Sequence, residues 1–227
     1  MRETLGYNKN HKDRQQHDFY ATPPAKVKNI LQYEELNGVI LENSCGMGHI
    51  AKVVKELYPN NKIIATDKYN YGYGETGLDF LSDDYPYTDN INCIIMNPPF
   101  KLIENFVIKS LEIAKDKVLL FARMQFAESE SRYINIFKNQ PPTKIYMYVN
   151  RVACAKDGDF NKPLSSNMAF AWFVWNKKDK NYGKYTEFVW IRRWDKNLKL
   201  NYKNIWQLNI KYVILYIEGG ESSVNKI

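Results

Sequence analysis

The chain has 227 residues, of which 44% are hydrophobic and 15% aromatic. That length and composition exclude a disordered polypeptide and suffice for one sizeable domain with its own core. The formal net charge of +7 and a pI near 9.1 favour a polyanionic partner such as nucleic acid, although solvated lysines alone also produce such a balance.

No apolar stretch is long enough to cross a bilayer, and the opening Met1-Arg2-Glu3-Thr4 lacks the apolar core of a secretion signal. Cys45, Cys93 and Cys154 are scattered, with no metal-ligand spacing. Three cysteines cannot all pair with one another. A reduced, cytoplasmic setting without a metal site is therefore expected.

Residues 1 to 17 are polar, with Lys9, His11, Lys12 and Arg14 and little periodicity, and are expected to form a flexible arm. Residues 18 to 227 show no repeat and no clear linker, which predicts one domain. Thr22 is a suitable N-cap and Pro23 suits a first helical turn. A helix with Val27, Ile30 and Leu31 on one face follows from that spacing. Val39-Ile40-Leu41-Glu42 reads as the first strand of a sheet. Asn43-Ser44-Cys45-Gly46-Met47-Gly48 is a turn, and Ile50, Val53, Val54 and Leu57 then fall on one helical face. Strand, glycine turn and helix open a doubly wound α/β domain. Gly46 and Gly48 let a ligand approach the backbone, and the helix beyond offers free N–H groups and a positive dipole end.

Residues 62 to 66 form the second predicted strand, with Asp67 at its end. A carboxylate there can accept from both hydroxyls of a ribose, and an ordinary turn or capping Asp is the alternative. Residues 71 to 77, rich in glycine and tyrosine, predict a loop. Ile91-Asn92-Cys93-Ile94-Ile95-Met96 is β-branched and short, and predicts a buried strand ending at Asn97-Pro98-Pro99-Phe100. Two prolines stop the strand and stiffen the backbone. Neither has an N–H, so the carbonyls of Pro98 and Pro99 are expected to stay open to a ligand. With the Asn97 amide and the flat ring of Phe100, the turn suits a planar base carrying an NH2 group.

Ile103, Phe106, Val107, Leu111 and Ala114 make a helical stripe, and Val118-Leu119-Leu120-Phe121 is another buried strand. A helix containing Tyr133, Ile136 and Phe137 is expected between 123 and 140. Residues 144 to 149 and 168 to 175 read as strands that pair as an antiparallel hairpin at the sheet edge. The polar stretch 150 to 167 between them is long for a hairpin loop and includes Arg151, Lys156, Asp157 and Lys162, which could meet a substrate. From 176 to 227, lysines and arginines (Arg192 and Arg193 among them) interleave with Trp190, Trp194, Tyr202 and Trp206. That mixture suits a nucleic-acid surface or a solvated basic face whose tryptophans anchor it. Ile210 to Ile217 is apolar enough for a last strand.

Asn97-Pro98-Pro99-Phe100 resembles the catalytic motif of class I S-adenosylmethionine (SAM)-dependent amino-methyltransferases, above all those acting on the exocyclic amine of adenine. Phe19-Tyr20-Ala21-Thr22-Pro23 resembles the motif that covers the methionine part of SAM, which implies contacts from Tyr20 and Thr22. The turn with Gly46 and Gly48 is similar to the one that receives the amino acid part. Glu42 resembles its acidic residue, with Asn43 beside it. Asp67 and the adjoining Lys68 take the ribose position, and Asp79-Phe80 resembles the acidic motif whose carboxylate and ring meet the cofactor's adenine.

The resemblance runs from about residue 18 to 175. It implies a Rossmann-like, mostly parallel sheet with an antiparallel hairpin and helices on both faces. It also implies SAM as cofactor, Asn97 and the Pro98 carbonyl holding the target amine, and Phe100 stacking on the base. The partner implied is nucleic acid, DNA before RNA, met by Phe100, Arg151, Arg192 and Arg193, with no metal and no membrane. A long separate target-recognition domain is missing. Gly46-x-Gly48-x-x-Ala51 also satisfies the dinucleotide fingerprint, so the glycines alone do not choose between SAM and NAD. Rival readings are an RNA base amine, a protein glutamine, an NAD-dependent oxidoreductase, and a SAM-fold module that binds nucleic acid without turnover.

Overall fold

The computed structural model describes residues 20–152, 155–156 and 168–192, with the backbone alone at 20, 155 and 156. The expected N-terminal arm, most of the 150–167 stretch, Arg193 and the expected strand at 210–217 lie outside the described residues. Those described all belong to one compact unit.

In chain order the elements are β1 (Tyr20–Ala21), α1 (Pro24–Ile30), β2 (Ile40–Glu42), α2 (His49–Leu57), β3 (Ile63–Asp67), β4 (Glu75–Thr76), β5 (Cys93–Met96), α3 (Ile103–Ile113) and β6 (Lys117–Arg123). A 3-10 turn (Met124–Ala127), α4 (Glu130–Arg132) and a π-helical turn (Tyr133–Phe137) follow. Then come β7 (Lys144–Tyr148), β8 (Ala155–Lys156), β9 (Phe170–Asn176) and β10 (Glu187–Ile191). Eight of these strands form one sheet in the order β10-β7-β9-β6-β5-β2-β3-β4. Strands β2, β3, β5 and β6 run parallel, while β9 runs antiparallel to both β6 and β7.

The central strands are short apolar runs because both of their faces are covered. Ile40, Cys93, Ile95, Leu119 and Phe121 pack into a core with Val27 and Ile30 of α1 and Val53 and Val54 of α2. Their neighbours Leu41, Ile94, Met96, Val118 and Leu120 join a second core with Phe106, Val107 and Leu111 of α3. Strand periodicity of two thus separates the layers, and the Rossmann-like α/β class expected from the sequence is the one observed.

Several local expectations are corrected. Thr22 does not cap α1: the N-cap is Pro23, with no side-chain cap bond, and the Thr22 hydroxyl is used elsewhere. Residues 75 and 76 of the expected loop are β4, paired parallel with β3. The helix expected between 123 and 140 is present, but only as α4 running directly into the π-helical turn. Arg123 ends β6, and the Arg132 guanidinium reaches back to the carbonyls of Gln125, Phe126 and Glu128. This staple fixes a compact turn where a straight helix would carry those carbonyls away. The Lys138 N–H then bonds to the Tyr133 carbonyl at 2.8 Å, the wide turn of a π-helix.

The antiparallel partnership of β7 and β9 is present, but it is not the sheet edge. β10 adds to β7 in parallel. Its Val189 packs on the core and its Ile191 lies within it, whereas Phe188 and Trp190 are exposed. Its lysine-rich flanks conceal that alternation in the sequence. Within the long polar stretch, β8 pairs antiparallel with β1.

The chain enters the sheet at β2, moves outward through β3 and β4, then returns to place β5 on the other side of β2. The connections above β2 and β5 therefore diverge and leave a crevice at the carboxyl ends of these strands.

Candidate active site

A cavity of about 490 Å³ occupies that crevice. Its wall is made where three strands end: Glu42, the last residue of β2, with Asn43, Ser44 and Cys45 beyond it, Asp67, the last of β3, with Lys68, and Asn97 and Pro99 after β5. Thr22, Asp79 and Phe80 complete the predicted residues that line it. His49, Tyr71, Lys101, Leu102 and Phe106 also line it and were missed in the sequence. His49 directly follows the glycine turn, and that adjacency was the signal available.

Asn97 is oriented by Thr22. Its Nδ2 donates to the Thr22 Oγ1 at 3.0 Å, and Thr22 is buried. With an N–H committed to Thr22, the amide plane is set. Pro98 is buried and does not line the cavity. The carbonyl of Pro99 accepts from the Leu102 N–H at 3.0 Å, so it turns the chain toward α3 and is not held open as expected. Phe100 lies outside the cavity wall, packed on the core, with the Arg123 guanidinium over its ring at 4.1 Å from the centroid.

The carboxylates brace the glycine turn. Glu42 Oε2 accepts from the Ala51 N–H at 2.7 Å. Asp67 accepts from Gly46 N–H at 2.8 Å and from Tyr69 N–H at 2.9 Å. Burial lifts the Glu42 carboxyl well above its ordinary value. The Ala51 N–H opposes that shift and the neighbouring Asp67 adds to it. Asp79 is held below the usual carboxylate range, first by its hydrogen bond from Lys68, an ion pair of 2.7 Å. Burial lowers His49, with Lys52 adding to the effect. Burial also pushes the Cys45 thiol up, so it is a poor nucleophile.

Gly46 and Gly48 have positive φ, 51° and 76°, but neither lines the cavity. A Cβ on Gly48 would come within 2.3 Å of the Tyr73 ring. What the missing side chain admits at Gly48 is therefore this tyrosine, not a ligand.

Two buried polar atoms of the lining residues have no hydrogen-bond partner: Asn43 Oδ1 and Ser44 Oγ. The other side of the Asn43 amide donates to Ser110 Oγ at 3.2 Å. Orphaned buried atoms are costly. Here they sit beside two buried carboxylates, an acceptor-rich set matched to a ligand carrying a cationic amine and hydroxyl groups.

Phe80 is buried against Tyr85 and Phe106. The side chain of Tyr20 is outside the described residues, as is Arg193. Arg151 and Arg192 are exposed and follow the carboxyl ends of β7 and β10, on the same side of the sheet as the cavity. From β5, three strand steps lead to β7 and four to β10, roughly 14 and 19 Å at ordinary strand spacing. The structure therefore does not bring them to the cavity. A substrate that reached them from the cavity would cross the ends of the strands between.

Among the described residues no three His, Cys, Asp or Glu gather as a metal site, and no helix is long and apolar enough to cross a membrane.

No family model and no curated protein matches the chain. Among solved structures it is similar to a predicted O-methyltransferase from Agrobacterium tumefaciens, at 10% identity and a TM-score of 0.49, covering 79% of this chain and 94% of that one. It is similar to precorrin-6y C5,15-methyltransferase from Geobacter metallireducens, at 13% identity and a TM-score of 0.48, covering 66% and 86%. It is also similar to the 16S rRNA (adenine(1408)-N(1))-methyltransferase from Catenulisporales acidiphilia, at 8% identity and a TM-score of 0.41, covering 68% and 93%. At such likeness neither substrate nor cofactor passes from these proteins to this one, and the fold class rests on the strand order itself.

Proposed function

We propose that this chain is a SAM-dependent methyltransferase acting on the exocyclic amine of adenine in DNA. One observation carries the reading. Segments separated by up to 75 residues in the chain (Thr22, Glu42, Asp67, Asp79 with Phe80, and Asn97) line a single cavity at the sheet's switch point. The residues fit the cofactor. Glu42, Asn43 Oδ1 and Ser44 Oγ would hold its amino acid part, Asp67 its ribose, and Asp79 with Phe80 its adenine. A bound ammonium would also favour the ionised form of Glu42, offsetting the effect of its burial. SAM supplies a methyl group already activated on a sulfonium.

The chain's own task is then positioning and charge stabilisation. An adenine amine is a poor nucleophile because its lone pair is delocalised into the ring. The Asn97 oxygen, fixed by Thr22, and the Pro98 carbonyl would accept from the NH2. They would favour a more pyramidal nitrogen and stabilise the positive charge that develops as the methyl arrives. Phe100 would stack on the base. In duplex DNA the base must first leave the helix, at a cost of a few kcal/mol. Arg151, Arg192 and Arg193 are proposed to meet the phosphate backbone, in keeping with the net charge of +7.

The test is incubation with methyl-labelled SAM and unmethylated genomic DNA, RNA or protein, followed by counting of the label in each arm and mass spectrometry of the nucleosides and of the digested protein. N6-methyladenine in the DNA arm is expected. A methyl on cytosine, or label only in RNA or in glutamine, overturns the substrate. Calorimetry with SAM and NAD side by side isolates the cofactor: binding of NAD alone sinks the reading. SAM binding without label in any arm makes the chain a non-catalytic module.

A further inference from the structure

We propose that Arg123 is a positioning residue for this reaction, acting through Phe100. The inference rests on the reading above and names a residue that the sequence motifs do not include.

Strands β5 and β6 pair in register only as far as Met96 and Leu120. β6 continues through Phe121 and Ala122 to Arg123. Its last three residues therefore run beside the Asn97–Phe100 turn, past the end of β5. That overhang is anchored on its other side by β9, where Arg123 pairs with Phe170. From this fixed base the guanidinium lies over the Phe100 ring, 4.1 Å from its centroid.

Nothing else explains the side chain. No carboxylate among the described residues forms an ion pair with it. Its Nε is buried without a hydrogen-bond partner. An arginine placed to tie the fold together has its donors matched to acceptors. This one leaves a donor unmatched and spends its flat face on a ring.

The consequence is mechanical. Asn97-Pro98-Pro99-Phe100 is a turn whose terminal ring packs on the core. Arg123 adds a restraint on the plane of that ring from a strand hydrogen-bonded into the sheet. A base stacking on Phe100 meets a ring whose orientation Arg123 restrains. Its amine is thereby held at a fixed height relative to Asn97, and errors of about an ångström in such placement cost roughly a hundredfold in rate.

A double-mutant cycle tests this, with unmethylated genomic DNA as substrate and N6-methyladenine as the readout. Arg123→Met is expected to lower kcat about tenfold, with SAM affinity and Tm close to the parent protein. Arg123→Lys, which keeps a cation over the ring, recovers part of the loss. In a Phe100→Leu background, Arg123→Met costs nothing further, because the ring through which it acts is gone. Equal losses in both backgrounds overturn the proposal. So does a variant that loses activity only together with SAM binding and thermal stability, which makes Arg123 a packing residue. Parent-like turnover by Arg123→Met overturns the role of Arg123 alone. Absence of transfer by the parent protein overturns the methyltransferase reading, and this role with it.

Discussion

Thr22 and Asn97 are 75 residues apart in the chain and 3.0 Å apart in space. Removing each tests a different part of the site. Asn97→Ala is expected to abolish methyl transfer while SAM affinity, read by calorimetry, changes by less than about threefold, since the amide is assigned to the transition state. Thr22→Val keeps the buried shape and removes the acceptor that orients Asn97. Its kcat is expected to fall roughly ten- to a hundredfold with the fold intact. Glu42 gives a prediction of opposite sign for stability. Burial raises its folded-state pKa above the ordinary 4.5. The folded protein therefore holds this proton more tightly than the unfolded chain does, and stability falls as pH rises above that value. Glu42→Gln keeps an acceptor for the Ala51 N–H and removes the charge. Its Tm should exceed the parent's at about pH 8, the gap closing near pH 4, while SAM affinity drops. A Tm gap that widens on acidification would contradict the assignment.

At the level of the element, the glycine turn and the tyrosine loop form one unit. The Cys45 N–H bonds to the Thr66 carbonyl at 2.9 Å, and the Gly48 N–H bonds to the Cys45 carbonyl at 2.7 Å. Tyr73 lies against the bare Cα of Gly48, with Lys52 over its ring. Gly48→Ala meets both the left-handed backbone penalty, about 1–2 kcal/mol, and the tyrosine ring. Tyr73→Ala in the same chain relieves the clash but not the backbone strain, so urea unfolding should show partial recovery. Full recovery would mean that the conformation at residue 48 carries no cost. The segment 124–137 carries a related lesson: the apolar spacing of Tyr133, Ile136 and Phe137 suits the helical turn they form, but Arg132 ties down the carbonyls ahead of it, and the helical run starts only at Glu130.

At the scale of the molecule, the end of the sheet opposite the cavity is held by a buried ionic cluster. Glu34, beyond α1, accepts from Lys117 of β6 at 2.7 Å and from the Tyr146 hydroxyl of β7 at 2.6 Å. Lys117→Met would leave the Glu34 carboxylate buried without its main partner, at a cost of about 3–5 kcal/mol. The double change Glu34→Gln with Lys117→Met keeps an acceptor for Tyr146 and should recover most of that loss in urea unfolding. The cluster lies away from the crevice, so SAM affinity of the double variant should be unchanged.

The alternation of strands and helices was legible because periods of two and 3.6 are written into neighbouring residues, and glycine and proline punctuate them locally. For the same reason the ends of β2, β3 and β5 could be read, and with them Glu42, Asp67 and Asn97. Other features depend on pairs far apart in the chain: the Thr22 hydroxyl on Asn97, the Tyr73 ring on Gly48, β10 beside β7, and Arg123 over Phe100. Each is decided by which surfaces meet when the layers pack. A residue's chain neighbours carry no record of that meeting.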